Sequence, residues 1–266
     1  MEGCRQNLAP SVFFPEEMPQ GGGRQMYSFS SRIRFSETDQ NRQLSVTALL
    51  NYFQDCSCFQ IEHAGVGFSF LDAQHLAWVV NYWQLDIRAL PFFGDTVTVS
   101  TNPYRYRNFM GFRNFALDDE KGQRLVAANS IWSLMNLERL LPALITPEHA
   151  ERLGVGIPFD MDYTDRKIAV PKEGGRILSP VPVDESMLDS NRHVNNAQYV
   201  RIALAAMGEP GAPGRLRAEY KKQAFPGDVM HPVLFAGEDG SQTVSLQAED
   251  GSAYAVVSYK TGLLSV

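Results

Sequence analysis

The chain has no apolar run near the roughly 18 residues that a bilayer-spanning helix needs, so membrane insertion through a helix is not expected. It has only three cysteines, Cys4, Cys56 and Cys58. Three thiols cannot all pair with one another, and Cys56 and Cys58 stand too close for an ordinary bridge, which favours a reducing, cytoplasmic compartment. A Cys-x-Cys pair with no second cluster of ligands is a poor metal site, so no metal is expected. Positive charge is also short: 24 Lys and Arg against 30 Asp and Glu leave a net charge of -6, which argues against general nucleic-acid binding. There is no Gly-x-Ser-x-Gly nucleophile turn and no Gly-x-x-x-x-Gly-Lys-Ser/Thr phosphate loop. Gly65-Val66-Gly67 and Gly154-Val155-Gly156 lack the third glycine of a dinucleotide site. No organic cofactor is expected. Residues Met1 to Gln25 lack the apolar centre with basic flank of a signal peptide. With Pro10, Pro15, Pro19 and Gly21-Gly22-Gly23 they read as a disordered tail or a mis-called start, and Met26 opens the first strongly patterned segment.

What the chain does have is an ordinary globular composition, 44% hydrophobic over 266 residues, enough for one large domain or two small ones. It also has an internal repeat. Asp39-Gln40-Asn41-Arg42-Gln43-Leu44 matches Asp189-Ser190-Asn191-Arg192-His193-Val194 as Asp-x-Asn-Arg-x-apolar. Each copy leads into a helical pattern, with Val46, Leu49, Leu50 and Phe53 in the first and Ala197, Val200, Leu204 and Met207 in the second. The second helix is apolar nearly all round, which predicts that other structure wraps it. A strand pattern and a Gly-Asp turn follow in each case. Phe93-Gly94-Asp95-Thr96-Val97 answers Pro226-Gly227-Asp228-Val229-Met230, and Asp86 and Glu219 each stand eight residues before the turn glycine. Alternating runs then predict antiparallel strands, joined by turns at 118–122 and 249–251.

Each half therefore reads as a strand, a long helix and several antiparallel strands: an α+β unit in which a curved sheet grips the helix. The expected organisation is a tail at 1–25, a first unit at 26–142, a linker at 143–179 and a second unit at 180–266. The linker is rich in Pro and Gly, with a short helix near Glu148 to Leu153.

The repeat copies differ at one informative place, Gln43 against His193. Folding does not require a titratable group there, since the first copy does without one, and imidazole suits proton transfer near neutrality. Asp189, Asn191 and His193 stand at alternate positions, which share a side in an extended segment. They lead into the first turn of a helix, where free N–H groups and the positive dipole end favour an oxyanion. An acid, an amide and an imidazole beside such an end could hydrolyse an acyl group by activating water. The same residue types also cap helices and form turns, and the first copy, Asp39 and Asn41, reads as only that.

Asp189-x-Asn191-x-His193-Val194-Asn195-Asn196-x-x-Tyr199 resembles the signature of the acyl-acyl-carrier-protein thioesterases, plant and bacterial. Arg34-Phe35-Ser36-Glu37-Thr38-Asp39, Leu50-Asn51-Tyr52-Phe53-Gln54-Asp55 and Glu219-Tyr220-Lys221-Lys222 support the likeness, which runs from about Met26 to about Tyr259. The resemblance implies a double hotdog fold. It implies hydrolysis of a fatty acyl thioester on the phosphopantetheine arm of acyl carrier protein in fatty acid biosynthesis, without metal or cofactor. It makes Asp189, Asn191 and His193 the catalytic group, with the N–H groups of Val194 and Asn195 at the oxyanion, and leaves open whether Asp189 or His193 is the base. Plant members carry Glu-Cys where this chain has Gln223 and Ala224. A neutral amide is neither nucleophile nor base, so Gln223 can only orient water or substrate, and direct attack by water is expected. The resemblance also assigns the acyl cavity to the first half, with Trp78, Met110 and Phe112 as candidates for its wall. Arg192, Lys221 and Lys222 are candidates for contact with the acidic carrier, as are Arg105 and Arg107. The alternatives are an acyl-CoA thioesterase and a non-catalytic acyl-binding hotdog protein. A homodimer of the doubled chain is compatible with either.

Overall fold

The computed structural model describes residues 26–189 and 192–262. The expectations for residues 1–25, for Ser190 and for Asn191 lie outside the described residues.

The first half runs β1 (Tyr27–Arg32), α1 (Val46–His63), α2 (Phe68–Ala73), β2 (Leu76–Ile87), β3 (Thr96–Arg107), β4 (Met110–Asp119), β5 (Arg124–Asn136) and β6 (Leu141–Pro142). The segment after it holds α3 (Pro147–Leu153), β7 (Arg176–Ile177) and β8 (Val181–Pro182). The second half holds α4 (Asn196–Met207), β9 (Gly214–Tyr220), β10 (Val229–Ala236), β11 (Ser241–Gln247) and β12 (Ala253–Thr261).

Local chemistry sets both long helices. Ser45 accepts the Ala48 N–H at the start of α1, and Asn195 accepts the Ala197 N–H at the start of α4. Gly208, at φ 82°, closes α4 in the left-handed conformation that a residue without Cβ adopts cheaply. Each helix is gripped as the repeat predicts. Leu49, Leu50 and Phe53 of α1 lie in one core with Trp83 and Phe115, and the same core continues through Val200, Ala203 and Leu204 of α4 to Leu216, Val244 and Val257.

The main sheet is ordered β1-β3-β4-β5-β2-β9-β12-β11-β10-β7. The halves meet where β2 pairs antiparallel with β9, from Tyr82 opposite Glu219 to Ile87 opposite Gly214. There Arg215 grips Asp86 with two bonds, Nε to Oδ1 at 2.6 Å and Nη2 to Oδ2 at 2.9 Å, both side chains being largely buried. The α1 and α4 helices face one another under this joined sheet, with Asn196 donating to Gln54 at 3.5 Å.

The stretch after α3 does more than connect. It runs across buried polar side chains of the strands and satisfies them: Asn102 donates to the Ile157 carbonyl, Asn114 accepts the Phe159 N–H, Gln84 accepts the Thr164 N–H, and Glu219 accepts the Ile168 N–H. Gly156 lies so close that an added Cβ would fall 1.9 Å from the Asn102 amide oxygen. This is the physical reason that strands of an apolar-cored sheet carry buried Gln84, Asn102, Asn114 and Glu219.

Candidate functional site

The described residues of the two Asp-x-Asn-Arg loops make matching hydrogen bonds. In the first, the Asp39 N–H donates to the Gln43 carbonyl at 2.7 Å, the Arg42 N–H to the Asp39 carbonyl at 3.0 Å, and the Gln43 N–H to Asp39 Oδ1 at 2.9 Å. In the second, the matching bonds run Asp189 to His193 at 2.8 Å, Arg192 to Asp189 at 3.0 Å, and His193 N–H to Asp189 Oδ1 at 3.2 Å. Arg42 and Arg192 both take positive φ, 62° and 60°. The aspartate is thus the turn former in both copies.

The loops part company one step further on. In the first copy, the Leu44 N–H donates to the Pro91 carbonyl and the Phe93 N–H to the Arg42 carbonyl, both at 2.8 Å. That loop is zipped to the Gly-Asp turn, with Gln43 bridged to Phe92. In the second copy the residue matching Phe93 is Pro226, which has no N–H to give. The turns themselves correspond closely: Phe92 N–H to Asp95 and Phe225 N–H to Asp228, at 2.8 and 2.9 Å. Among the described residues, no bond joins 192–194 to the backbone of 224–226, and the Val194 N–H has no acceptor.

His193 is half-buried on this unzipped side, edge-on to Phe225 at 5.7 Å, with its Nδ1 3.4 Å from Gln223 Nε2. The Gln223-Ala224 segment is held over α4 by Ala224 N–H donating to the Tyr199 hydroxyl at 2.9 Å. Burial pushes the Tyr199 phenol up to about 12 and raises Tyr220 too, so both stay neutral and neither offers a base. Of the two amides expected at an oxyanion, that of Asn195 is committed, donating to the Met187 carbonyl at 2.9 Å, while its side chain caps Ala197. The structural reason is the pairing of Leu188 with Val194, which aligns the Asn195 N–H with the neighbouring carbonyl.

A cavity of about 170 Å3 opens beside this loop, inside the first half. Ile61, Leu71, Leu76, Trp78, Phe112 and Trp132 form its apolar wall, and Gln54, Ser57 and Arg113 its polar part. Among the described residues, Asp189 is the one residue of the second half on that wall, and it also lines a shallow surface depression with Arg192 and Pro226. Trp78 and Phe112 are therefore at the cavity. Met110 is not among its lining residues; it begins β4 opposite Arg107 at the hairpin end, and Gly111 takes the wall position. An added Cβ at Gly111 would stand 3.2 Å from the Trp78 ring. Arg113 is buried and held by Gln60 and by Thr101 at 3.1 Å. Burial raises the cavity-side thiol of Cys58 and the core thiol of Cys56, the latter to about 12, so neither is a ready nucleophile.

Of the basic candidates, Lys221, Lys222 and Arg105 each make a contact of their own. Arg192 is exposed beside the depression. Lys221 pairs with Glu219 at 3.5 Å, Lys222 lies over the Tyr254 ring at 5.2 Å, and Arg105 over the Phe112 ring at 4.4 Å. Sequence reasoning passed over Gln54, Gly111, Arg113, Phe225 and Pro226. For Pro226 a signal was present, because it breaks the repeat opposite Phe93. Among the described residues no cluster of His, Cys, Asp and Glu has the arrangement of a metal site, and no helix is long and apolar enough to cross a membrane.

Residues 24–153 match the family model for the acyl-ACP thioesterase N-terminal domain. A chloroplastic acyl-[acyl-carrier-protein] hydrolase, FATB3, of Cuphea viscosissima is 28% identical over 95% of this chain and 65% of its own length. This chain spans 58% of the related FATB1 hydrolase of the same plant. An acyl-ACP thioesterase structure from Bacteroides thetaiotaomicron VPI-5482 superposes with a TM-score of 0.78 at 18% identity, covering 88% of this chain and 98% of that one. A 12:0-ACP thioesterase structure from Umbellularia californica gives 0.73 at 21%, covering 88% and 96%. The fold is that of these two structures, a double hotdog. By its family-model match over residues 24–153 and its likeness, over 95% of its own length, to a plant acyl-[acyl-carrier-protein] hydrolase, the chain is similar to the acyl-acyl-carrier-protein thioesterase family.

Proposed function

We propose that this protein hydrolyses the thioester between a fatty acyl group and the phosphopantetheine arm of acyl carrier protein, releasing the free fatty acid. The observation that carries the reading is the position of Asp189. It stands on the wall of an apolar cavity that would take an acyl chain and, at the same time, on the surface depression from which a carrier arm would enter. A chain lying in the cavity brings its thioester to Asp189, His193 and the Val194 N–H.

In this reading Asp189 is the base. One of its oxygens is held by the His193 N–H, which fixes the carboxylate as it faces the cavity. Water adds to the thioester carbonyl carbon and gives its proton to Asp189. The charge that develops on the carbonyl oxygen is met by the Val194 N–H. The C–S bond then breaks, the departing sulfur takes a proton from His193, and the proton held by Asp189 passes through solvent to restore the imidazole. Gln223, whose amide lies 3.4 Å from the His193 ring, and Asn191 orient water or substrate. Ala224 offers no nucleophile, so no acyl-enzyme forms there. The arm's carrier would meet Arg192, Lys221 and Lys222, and the free thiols Cys56 and Cys58 support a reducing, cytoplasmic setting. A homodimer is compatible with the fold.

The test is a hydrolysis assay on carrier-bound acyl groups across chain lengths, with His193→Ala as control. Turnover that the variant loses supports the reading. Acyl binding with background turnover at every length would make the protein a binding module, and faster turnover of acyl-CoA would change the carrier. Full activity in His193→Ala would remove that residue from the mechanism.

A further inference from the structure

Resting on the proposed hydrolysis, we infer that Pro226 is a positioning residue that keeps the Val194 N–H available to the thioester. The repeat supplies the comparison. The same loop is closed in the first half by two backbone bonds: Phe93 N–H to the Arg42 carbonyl, and Leu44 N–H to the Pro91 carbonyl. These are neighbouring rungs of one antiparallel pairing, centred on the Gln43–Phe92 bridge, and neighbouring rungs hold one another in place. In the second half the rung that Phe93 makes is chemically impossible, because Pro226 carries no N–H. The other rung, from Val194 to the carbonyl that corresponds to Pro91, is unmade as well, and the Val194 N–H is left without an acceptor among the described residues.

Apart from the Ala224 N–H, which is held by the Tyr199 hydroxyl where the first half has Pro91, the turns match closely. Gly94 and Gly227 have φ of 90° and 95°. Gly94 and Gly227 donate to the Ile33 and Val183 carbonyls, and Ile33 and Val183 donate back to Asp95 and Asp228. The proline is the local change that removes a rung outright, and its consequence falls on the amide beside His193. An N–H aimed at an approaching carbonyl oxygen is useful only while no protein carbonyl occupies it.

The experiment replaces Pro226 by Ala, which restores an N–H without bulk, and by Phe, the residue of the first half. Backbone hydrogen exchange at Val194 is followed by NMR, and kcat and KM are measured on carrier-bound acyl substrate. The expected result for both variants is slower exchange at Val194, a kcat lower by roughly tenfold to a hundredfold, KM within about twofold, and a melting temperature no lower than that of the wild type. Unchanged exchange and unchanged kcat in both would overturn the proposal. So would a fall in kcat without slower exchange, since that assigns the effect to side-chain bulk or altered packing. A wild-type protein with no turnover would sink the thioesterase reading instead, and Val194 exchange in Pro226→Ala would still decide whether the proline holds the loop open.

Discussion

The two halves carry the same loop, helix and turn, yet one is built around a cavity and the other leaves its loop unzipped from the turn. In the first, α1 has 18 residues and is followed by α2, and its sheet strands β2 to β5 have 10 to 13 residues. In the second, α4 has 12 residues, no helix like α2 intervenes before β9, and its strands β9 to β12 have 7 to 9. The longer helix and the added α2 hold the walls of the first half apart, and Ile61, Phe68 and Leu71 line the space created. In the second half the loop stays unzipped, with the His193 imidazole on that side, edge-on to Phe225. Duplication let one copy keep the structural version of a motif while the other exposes its polar groups.

Substitutions at matching positions should break this comparison most clearly at the loops. Asp189→Asn or His193→Ala is expected to lower kcat by about a thousandfold, read in a carrier-substrate assay. Asp39→Ala should leave kcat within about twofold while costing roughly 1–2 kcal/mol of stability, because Asp39 Oδ1 accepts the Asn41 and Gln43 N–H groups at 2.8 and 2.9 Å. Equal kinetic losses in both copies would dissolve the division of labour.

The cavity offers the next largest effect. Gly111→Leu adds bulk against Trp78 and should cut kcat/KM for the longest acceptable chains by about tenfold while sparing short ones. A uniform loss at all lengths would place the acyl chain elsewhere. Smaller still is Lys222→Glu, expected to raise KM for carrier-bound substrate by roughly two- to fivefold with kcat unchanged; an unchanged KM would remove this face from carrier contact. Smallest of all is Gln43→His, which should yield no second active site, since the Leu44 N–H is already bonded to Pro91. Activity surviving in the double variant Gln43→His, His193→Ala would show that an imidazole alone suffices.

Much of this could be read from residue order, because the signals were local. The apolar spacing of Leu49, Leu50 and Phe53, and of Val200 and Leu204, places the two gripped helices, and all five side chains are buried. The Gly-Asp turns marked the strand after each helix. The segment after Pro142 was harder. Its prolines and glycines suggest a tether, yet its backbone satisfies Asn102, Asn114 and Gln84 on strands far away in sequence. A strand asparagine reveals that it needs a partner, not which one it finds. The Asn195 amide, expected at the oxyanion, was likewise decided by the cross-loop pairing that gives it to Met187.

Residue order alone carried the doubling, the identity of the motif and the contrast of Gln43 with His193, because each depends on neighbours within a few positions. It also displayed Pro226, whose missing N–H is a property of the residue itself. Only the tertiary structure decided that Asp189 of the second half closes a cavity walled by Ile61, Trp78, Phe112 and Trp132 of the first. Those walls come from separate elements, and the distance between them is set by how α2 and the joined sheet pack. No pattern along the chain records that distance.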